Sequence, residues 1–247
     1  LLDTIQKTHP SHVIIALDSK KRKKRSLIDE NYKANRKDTP EELKKQIPLI
    51  NEFLKLSNFC SLVSDGEEAD DIIGTLVKKE KNKFNTIFIA TGDKDLMQLV
   101  DDNVFVYDGM KKKLFNTEEV KNKFGVEPRQ IIDYLAIVGD SSDNIPGIQG
   151  IGPKGAEKLL NEYDNLENIY KNIENIKSKS IKSKLLENKQ NAFLSQTLAT
   201  VNCEINLEYS LDHCTTEIKL SDALEKFLDK YELNYIKNKI HYSNKFI

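Results

Sequence analysis

Asn85-Thr-Ile-Phe-Ile-Ala-Thr-Gly-Asp-Lys-Asp95 is the stretch that decides how this chain folds. The apolar run from Asn85 to Ala90 has the length of a strand, and Thr91-Gly92-Asp93 ends it in a turn. Asp93 and Asp95 therefore stand at the carboxyl end of a strand. Working outward, His12-Val-Ile-Ile-Ala-Leu17 reads as a second short strand ending at Asp18, and Val104-Phe-Val-Tyr107 as a third. Helical sequence separates them. Thr39-Pro40-Glu41-Glu42 is a helix start, with a Thr cap, Pro in the first turn and then acids. Leu43, Ile47, Ile50, Phe53 and Leu54 keep helical period beyond it. Asp70 to Lys79 reads as another helix, and Leu96 to Val100 as a short one. Strands alternating with helices predict an α/β fold, a mostly parallel central sheet flanked by helices. In such folds functional groups gather at the carboxyl ends of the strands, where Asp18, Asp93 and Asp95 lie.

From Thr117 onward the sequence is almost all helical, with an Asn/Lys/Ile bias, no apparent repeat and one extended piece at Glu204 to Tyr209. The expected organisation is an α/β core over 1–116 and a helical region over 117–247. No linker separates them, so the helical region is expected to pack on the core as one unit.

The 247 residues, 38% hydrophobic and 31% charged, are those of a globular chain, and no apolar run approaches the ~20 residues that span a membrane. Cys60, Cys203 and Cys214 form no CxxC pair, which points to a reducing intracellular compartment and away from structural zinc. The net charge of −1 hides segregation, because Lys20 to Arg25 is six consecutive cations. Such a block suits a polyanion partner, and equally a solvated loop.

Two further acidic groups join the first: Glu68-Ala-Asp-Asp71 and Asp140-Ser-Ser-Asp143. Each has a bland reading alone. Acids at a helix start are favoured by its dipole, and an i, i+3 pair can cap a turn. Together, Glu68, Asp70, Asp71, Asp93, Asp95, Asp140 and Asp143 would repel one another strongly unless cations sat among them. Hard oxygen ligands suit Mg²⁺ or Mn²⁺, and those ions suit phosphoryl transfer.

The second signal is Pro146-Gly-Ile-Gln-Gly-Ile-Gly-Pro-Lys-Gly-Ala-Glu-Lys-Leu-Leu160. Gly147, Gly150 and Gly152 allow a tight hairpin between two helices. Backbone N–H groups there, with the next helix N-terminus, can grip a phosphate without reading bases. Lys154 and Lys158 follow on that helix. Tyr32-Lys33-Ala-Asn-Arg36 places an aromatic ring beside cations, a pattern that suits a single strand or simply a helix edge.

Taken together, these motifs resemble the bacterial and phage 5′-nuclease (flap endonuclease) family, which includes the 5′-3′ exonuclease domain of DNA polymerase I. The match runs in order through Asp18, Arg25, Tyr32-Lys33-x-x-Arg36, Glu68-Ala-Asp70-Asp71, Asp93-Lys-Asp95, Asp140-x-x-Asp143-Asn144 and the hairpin, over nearly the whole chain. The resemblance implies a PIN-like or resolvase-like core and a helical arch over the active site at about 20–37. It also implies a helix-hairpin-helix at about 131–163. Two divalent cations are implied, one near Asp18, Glu68, Asp70 and Asp71, the other near Asp93, Asp95, Asp140 and Asp143. Lys33 and Arg36 match positions at the scissile phosphate, and Tyr32 matches a stacking position. Lys20, Arg25, the three hairpin glycines, Lys154 and Lys158 match the DNA-binding surface, with a site for K⁺ at the hairpin. The implied partner is DNA with a 5′ flap or a 5′ end at a single-strand/duplex junction, handled by a monomer in a bacterial cytoplasm or a DNA-containing organelle, for primer processing in replication and repair.

The family also opens with a strand whose Asp is a metal ligand, followed by a helix. Leu1-Leu-Asp-Thr-Ile resembles the end of that helix and Asp3 is a poor substitute for the ligand, so the expectation is either a fragment or a chain that has lost that N-terminal piece, and a protein that is free-standing or truncated after Ile247. The alternatives are a non-catalytic DNA-binding relative and a PIN-like ribonuclease. The hairpin argues against the ribonuclease.

Overall fold

The computed structural model describes residues 1–21 and 23–243. Arg22, within the basic block, lies outside the described residues. The chain opens with helix α1 (Leu2–Thr8) and strand β1 (Ile14–Ala16), then the short helix α2 (Arg25–Ile28), helix α3 (Glu41–Leu56) and strand β2 (Cys60–Leu62). Helix α4 (Ala69–Glu80), strand β3 (Ile87–Ala90), a 3₁₀ turn (Asp95–Leu99) and strands β4 (Val104–Asp108) and β5 (Lys113–Phe115) complete the α/β part. Helices α5 (Thr117–Phe124), α6 (Ile131–Val138), α7 (Pro153–Tyr163), α8 (Leu166–Lys171), α9 (Lys179–Glu187), α10 (Lys189–Ala199), α11 (Asp222–Lys230) and α12 (Asn234–Ser243) follow.

The strands expected from apolar runs are present, and two of the three pairings are parallel: Ile14 opposite Cys60, and Ile87 opposite Val104. The third, Val106 opposite Phe115, is antiparallel. Where one central sheet was expected, the strands form two short sheets, β1-β2 and β3-β4-β5, with no pairing between them among the described residues. The α4 helix contacts both β1 and the turn after β3, and so underlies the ends of both sheets. The 204–209 segment is coil rather than strand.

Among the described residues, two apolar clusters hold the chain together. The larger runs from Val77, Ile89, Leu96 and Val104 through Ile131, Leu135 and Ile137 to Leu160, Leu185 and Leu198, so the α/β part and the helical part share one interior. The smaller brings Leu224, Phe227 and Leu228 of α11 back onto Leu54, Phe59 and the side chains of α1 and β1. The apolar stripe expected on α3 is only half used: Leu54 is buried, whereas Leu43, Ile47 and Ile50 stay at the surface.

The arch segment departs most from expectation. Among the described residues of 20–37, only α2 is helical, and 30–35 are turns. A run of like charges without an apolar stripe has little to stabilise a longer helix. Four described residues of the basic block are held by ion pairs. Lys21 pairs with Asp65 and Lys24 with Glu67 in the loop before α4, Arg25 with Asp71 in α4 itself, and Lys23 with Asp18 just after β1.

Candidate active site

The first acidic group is built on the N-terminus of α4. Glu68 is the N-cap, and it forms a reciprocal capping box with Asp71. The bland reading is therefore true of these two residues, but it does not exhaust them. Asp71 is bound by both terminal nitrogens of Arg25, at 2.9 and 2.7 Å, and accepts the Asn202 N–H at 2.9 Å. Arg25 is itself buried and also donates to the carbonyls of Leu198 and Thr200. Burial alone would lower its pKa, but the Asp71 carboxylate holds it up, so the guanidinium stays charged. Arg25 and Asp71 thus brace α2, α4 and the segment after α10. An Arg25 expected to meet DNA is instead enclosed by its own chain.

Glu68 shares Arg25 with Asp71 and also reaches toward the arch turn. It accepts Lys33 Nζ at 2.8 Å, Arg25 at 2.9 Å and the Tyr32 hydroxyl at 3.1 Å. Tyr32, expected on an open surface where a base could stack, is only 6% exposed and joins the main core. Burial, and then the Glu68 charge, raise its pKa well above the ordinary tyrosine range. Asp70 is half-buried. Burial and the neighbouring Asp93 push its carboxyl up to about 6. Asp18 lies at the rim, accepting from Lys23 at 2.8 Å and from the Ala69 N–H at 3.2 Å. Partial burial would raise its pKa, but these two donors hold it below the ordinary value.

The second group is tighter. One oxygen each of Asp95, Asp140 and Asp143 fall within 4.8 Å of one another, and all three residues are buried. Asp95 is set by its turn, where its N–H donates to Asp93 Oδ1 at 2.9 Å, and it opens the 3₁₀ turn. Asp140 and Asp143 belong to the loop after α6, which an Asp140–Ile145 bridge closes. Ser142 donates to Asp140 through its N–H and hydroxyl. Those bonds and Lys94 outweigh burial, so Asp140 titrates below the ordinary carboxylate range. The opposite holds for Asp95. Burial first, then Asp93, Asp140 and Asp143, push its carboxyl up to about 8. Its Oδ1 is buried without a hydrogen-bond partner. A buried orphan carboxylate oxygen among three more acids fits a divalent cation, since hard oxygen donors at this spacing are what Mg²⁺ and Mn²⁺ prefer.

Cations of the arch cover this cluster. Arg36 pairs with Asp143, and Lys33 Nζ is 3.5 Å from Asp143 as well as on Glu68. Lys94, whose role the sequence pattern does not reveal, sits 3.1 Å from Asp140.

The hairpin leaves the same loop. Gly139, Gly147 and Gly150 have φ of 77°, 64° and 81°, the left-handed region. Backbone crowding requires glycine at the first two: a Cβ on Gly147 would lie 2.5 Å from the Gly139 nitrogen, and one on Gly139 2.6 Å from the Ile145 oxygen. The Gly147 N–H is spent on the buried Ser195 hydroxyl at 2.9 Å, and Lys184 Nζ covers the Gly150 carbonyl at 2.9 Å. Neither partner was foreseen, because both lie on helices more than thirty residues away. Ile148 and Ile151 are buried as anchors. Gly152 is the N-cap of α7, with open space around it, and Lys154 and Lys158 are exposed on that helix. Lys20 is exposed at the start of the basic block.

An α/β core with a buried carboxylate cluster, joined to a helical domain that presents a glycine hairpin, defines the class. Two family models match in tandem: the 5′-3′ exonuclease N-terminal resolvase-like domain over residues 1–125 and the 5′-3′ exonuclease C-terminal SAM fold over residues 126–222. The chain belongs to the 5′-3′ exonuclease family. It is 38% identical over 233 residues to the 5′-3′ exonuclease of Aquifex aeolicus, covering 94% of this chain and 79% of that protein. It is 43% identical over 242 residues to DNA polymerase I of Caldicellulosiruptor bescii, where it covers 96% of this chain but spans only 28% of the relative. Among solved structures, the bacteriophage T5 5′-exonuclease with bound divalent zinc has the same fold, with a TM-score of 0.69 at 23% identity over 92% of this chain and 86% of that one. The T5 flap endonuclease in a pseudo-enzyme-product complex with DNA and metal ions does so too, with a TM-score of 0.68 at 22% identity, over 92% and 85%.

Proposed function

We propose that this chain hydrolyses DNA phosphodiesters near a 5′ end, as a structure-specific 5′-nuclease and flap endonuclease of replication and repair. The observation that carries this reading is the meeting of carboxylates from separate chain segments beneath Lys33 and Arg36, with Asp95 Oδ1 unpartnered. Asp93, Asp95, Asp140 and Asp143 would hold one divalent cation, Mg²⁺ or Mn²⁺. Glu68 and Asp70, with Asp18 at the rim, would hold the other. Bound there, such ions supply an activated water and neutralise charge on the leaving oxygen. Lys33 and Arg36 stabilise charge on the phosphate as it builds in the transition state. Asp71, saturated by Arg25 and backbone N–H groups, keeps Glu68 and Asp70 in place rather than binding metal.

The two parts divide the work. The core over 1–116 carries the chemistry, completed by Asp140 and Asp143 from the loop after α6. The helical region over 117–247 holds duplex DNA through the α7 N-terminus at Gly152 with Lys154 and Lys158, and K⁺ at the hairpin belongs to the same reading. Lys20 and its neighbours guide the single-stranded 5′ end. We read the protein as a monomer of a reducing bacterial cytoplasm. Among the described residues, no helix is long and apolar enough to cross a membrane.

The test is cleavage of a labelled 5′-flap DNA with Mg²⁺, beside a chelator control and a single-stranded RNA of the same sequence. Mg²⁺-dependent cleavage near the junction, leaving a 5′-phosphate and a 3′-hydroxyl, is expected. Binding without cleavage would favour a non-catalytic relative. Preference for the RNA would favour a PIN-like ribonuclease.

A further inference from the structure

Most of the carboxylates in the site already carry a cation of this chain. Lys33 is on Glu68 at 2.8 Å, Arg36 is on Asp143, Lys94 is on Asp140 at 3.1 Å, and Lys23 is on Asp18 at 2.8 Å. Of these, Arg36 on Asp143, with Lys33 Nζ 3.5 Å from the same carboxylate, ties the arch turn to the loop after α6, and Lys33 on Glu68 ties that turn to the start of α4. The other ties are the Lys33 N–H to the Asp143 carbonyl at 2.9 Å, Asn144 Nδ2 to the Asn31 carbonyl at 2.7 Å, a side-chain bond from Asn35 to the Ser141 carbonyl, Arg36 Nε to the Ser142 carbonyl at 3.5 Å and the buried Tyr32 hydroxyl to Asp143 at 3.4 Å. Lys33 is held at φ 58°, a left-handed conformation that costs a residue with a Cβ and persists only while its surroundings enforce it.

We propose that Lys33 and Arg36 are exchange cations: divalent metal entering the cluster displaces them from Glu68 and Asp143, undocks residues 33–36 from 141–144 while the buried Tyr32 stays in the core as the pivot, and so frees both side chains for a substrate phosphate. This rests on the reading that the cluster binds divalent cations. A carboxylate oxygen cannot hold an ammonium at bonding distance and a divalent ion as well without bringing two cations close together in a site shielded from solvent. Lys94 is the third member of the set. Its backbone lies between Asp93 and Asp95 and stays put, so only its side chain has to swing out. The unloaded site is thereby kept from electrostatic collapse, and the arch is held shut until metal arrives. The same two side chains serve first as stand-ins for metal and then as phosphate ligands, so loading of the site and readiness of the arch are one event.

The experiment is amide hydrogen exchange on the whole chain without DNA, with and without Ca²⁺, reading the Lys33 amide and the peptide spanning 29–36. Calorimetry with Ca²⁺, with Asp95→Asn as control, fixes the loaded state independently. Ca²⁺ should speed exchange of the Lys33 amide at least severalfold. The double variant Lys33→Met, Arg36→Met should exchange fast with or without Ca²⁺, and should bind Ca²⁺ about tenfold more tightly, the direction expected when repelling charges are removed. Unchanged or slower Lys33 exchange in a chain shown by calorimetry to be saturated would overturn exchange while leaving the metal reading intact. An absence of Asp95-dependent Ca²⁺ binding would overturn both. Should the double variant fold poorly, the wild-type comparison with and without Ca²⁺ still decides.

Discussion

The acidic cluster and the glycine hairpin share one loop and are built on opposite principles. Residues 139–147 supply Asp140 and Asp143 to the first and lead directly into the second. In the cluster, like charges are buried together, an oxygen is left without a partner, and one carboxyl is pushed up to about 8. In the hairpin, backbone groups are closed inside the fold: Gly147 on Ser195, Ile148 on Ile137 at 2.8 Å, Asp140 on Ile145. The cluster works through what its side chains leave unsatisfied. The hairpin works through where a satisfied backbone places one helix end. Substitutions should therefore separate the two, with loss of chemistry and no loss of stability in one, and loss of stability first in the other.

Asp95→Asn is the strongest test. Removing a metal ligand should lower single-turnover cleavage of a flap by about 10⁴-fold, because charge stabilisation in the transition state is lost. The same change should raise the stability of the metal-free protein. The sign follows from the raised pKa: folded Asp95 keeps its proton up to about 8, whereas in the unfolded chain it ionises near its ordinary value of 3.8. Between those values the folded state binds the extra proton, so this group's contribution to stability falls as pH rises. Urea melts in a chelator should show Asp95→Asn gaining on the wild type from about pH 4 to pH 8. A variant that loses both cleavage and stability would place Asp95 in the architecture rather than in the chemistry.

Arg25→Met sharpens the boundary of the cluster. The arginine neutralises Asp71 and Glu68 from within the fold, and its loss would strand buried charge, at a cost of about 3–5 kcal/mol. The measurement is the urea midpoint at pH 7. If instead stability holds and only DNA affinity falls, Arg25 belongs to the DNA surface after all.

How much of this was legible in the sequence follows the same division. Residue type announced the cluster, because seven acids beside apolar segments need a reason, and strand ends gave their location. Which acid faces the site and which faces a brace was not legible. The Arg25–Asp71 pair spans 46 positions, and nothing local marks it. Glycine spacing announced the hairpin, but Ser195 and Lys184 did not announce themselves as its supports. Strands β1, β3 and β4 were readable as apolar runs. The three-residue strands β2 and β5, part-exposed, are too short for an alternating pattern to register. Lys20 to Lys37 looked like a basic, helix-compatible arch, yet ion pairs to distant acids decided its shape.

The hairpin glycines give the smallest effects and the finest comparison. Sequence reading groups Gly147, Gly150 and Gly152 as equals, but the structure separates them. Gly147→Ala forces a Cβ against backbone at 2.5 Å and at positive φ, so it should cost about 1–3 kcal/mol of stability. At Gly150, also at positive φ, the nearest atoms belong to the end of the flexible Lys184 side chain, which can move aside, so the loss should be smaller. Gly152→Ala meets nothing within 4 Å and has no positive φ, so stability should stay within about 0.5 kcal/mol of wild type. Any effect of that last substitution must come from what approaches the α7 N-terminus from outside. If a DNA phosphate does so, Gly152→Ala should weaken binding of flapped duplex in Ca²⁺ while leaving the melt and the affinity for a short single strand unchanged. Equal affinities for both DNAs in wild type and variant would leave Gly152 as a helix cap and move the duplex contact to Lys154 and Lys158 alone.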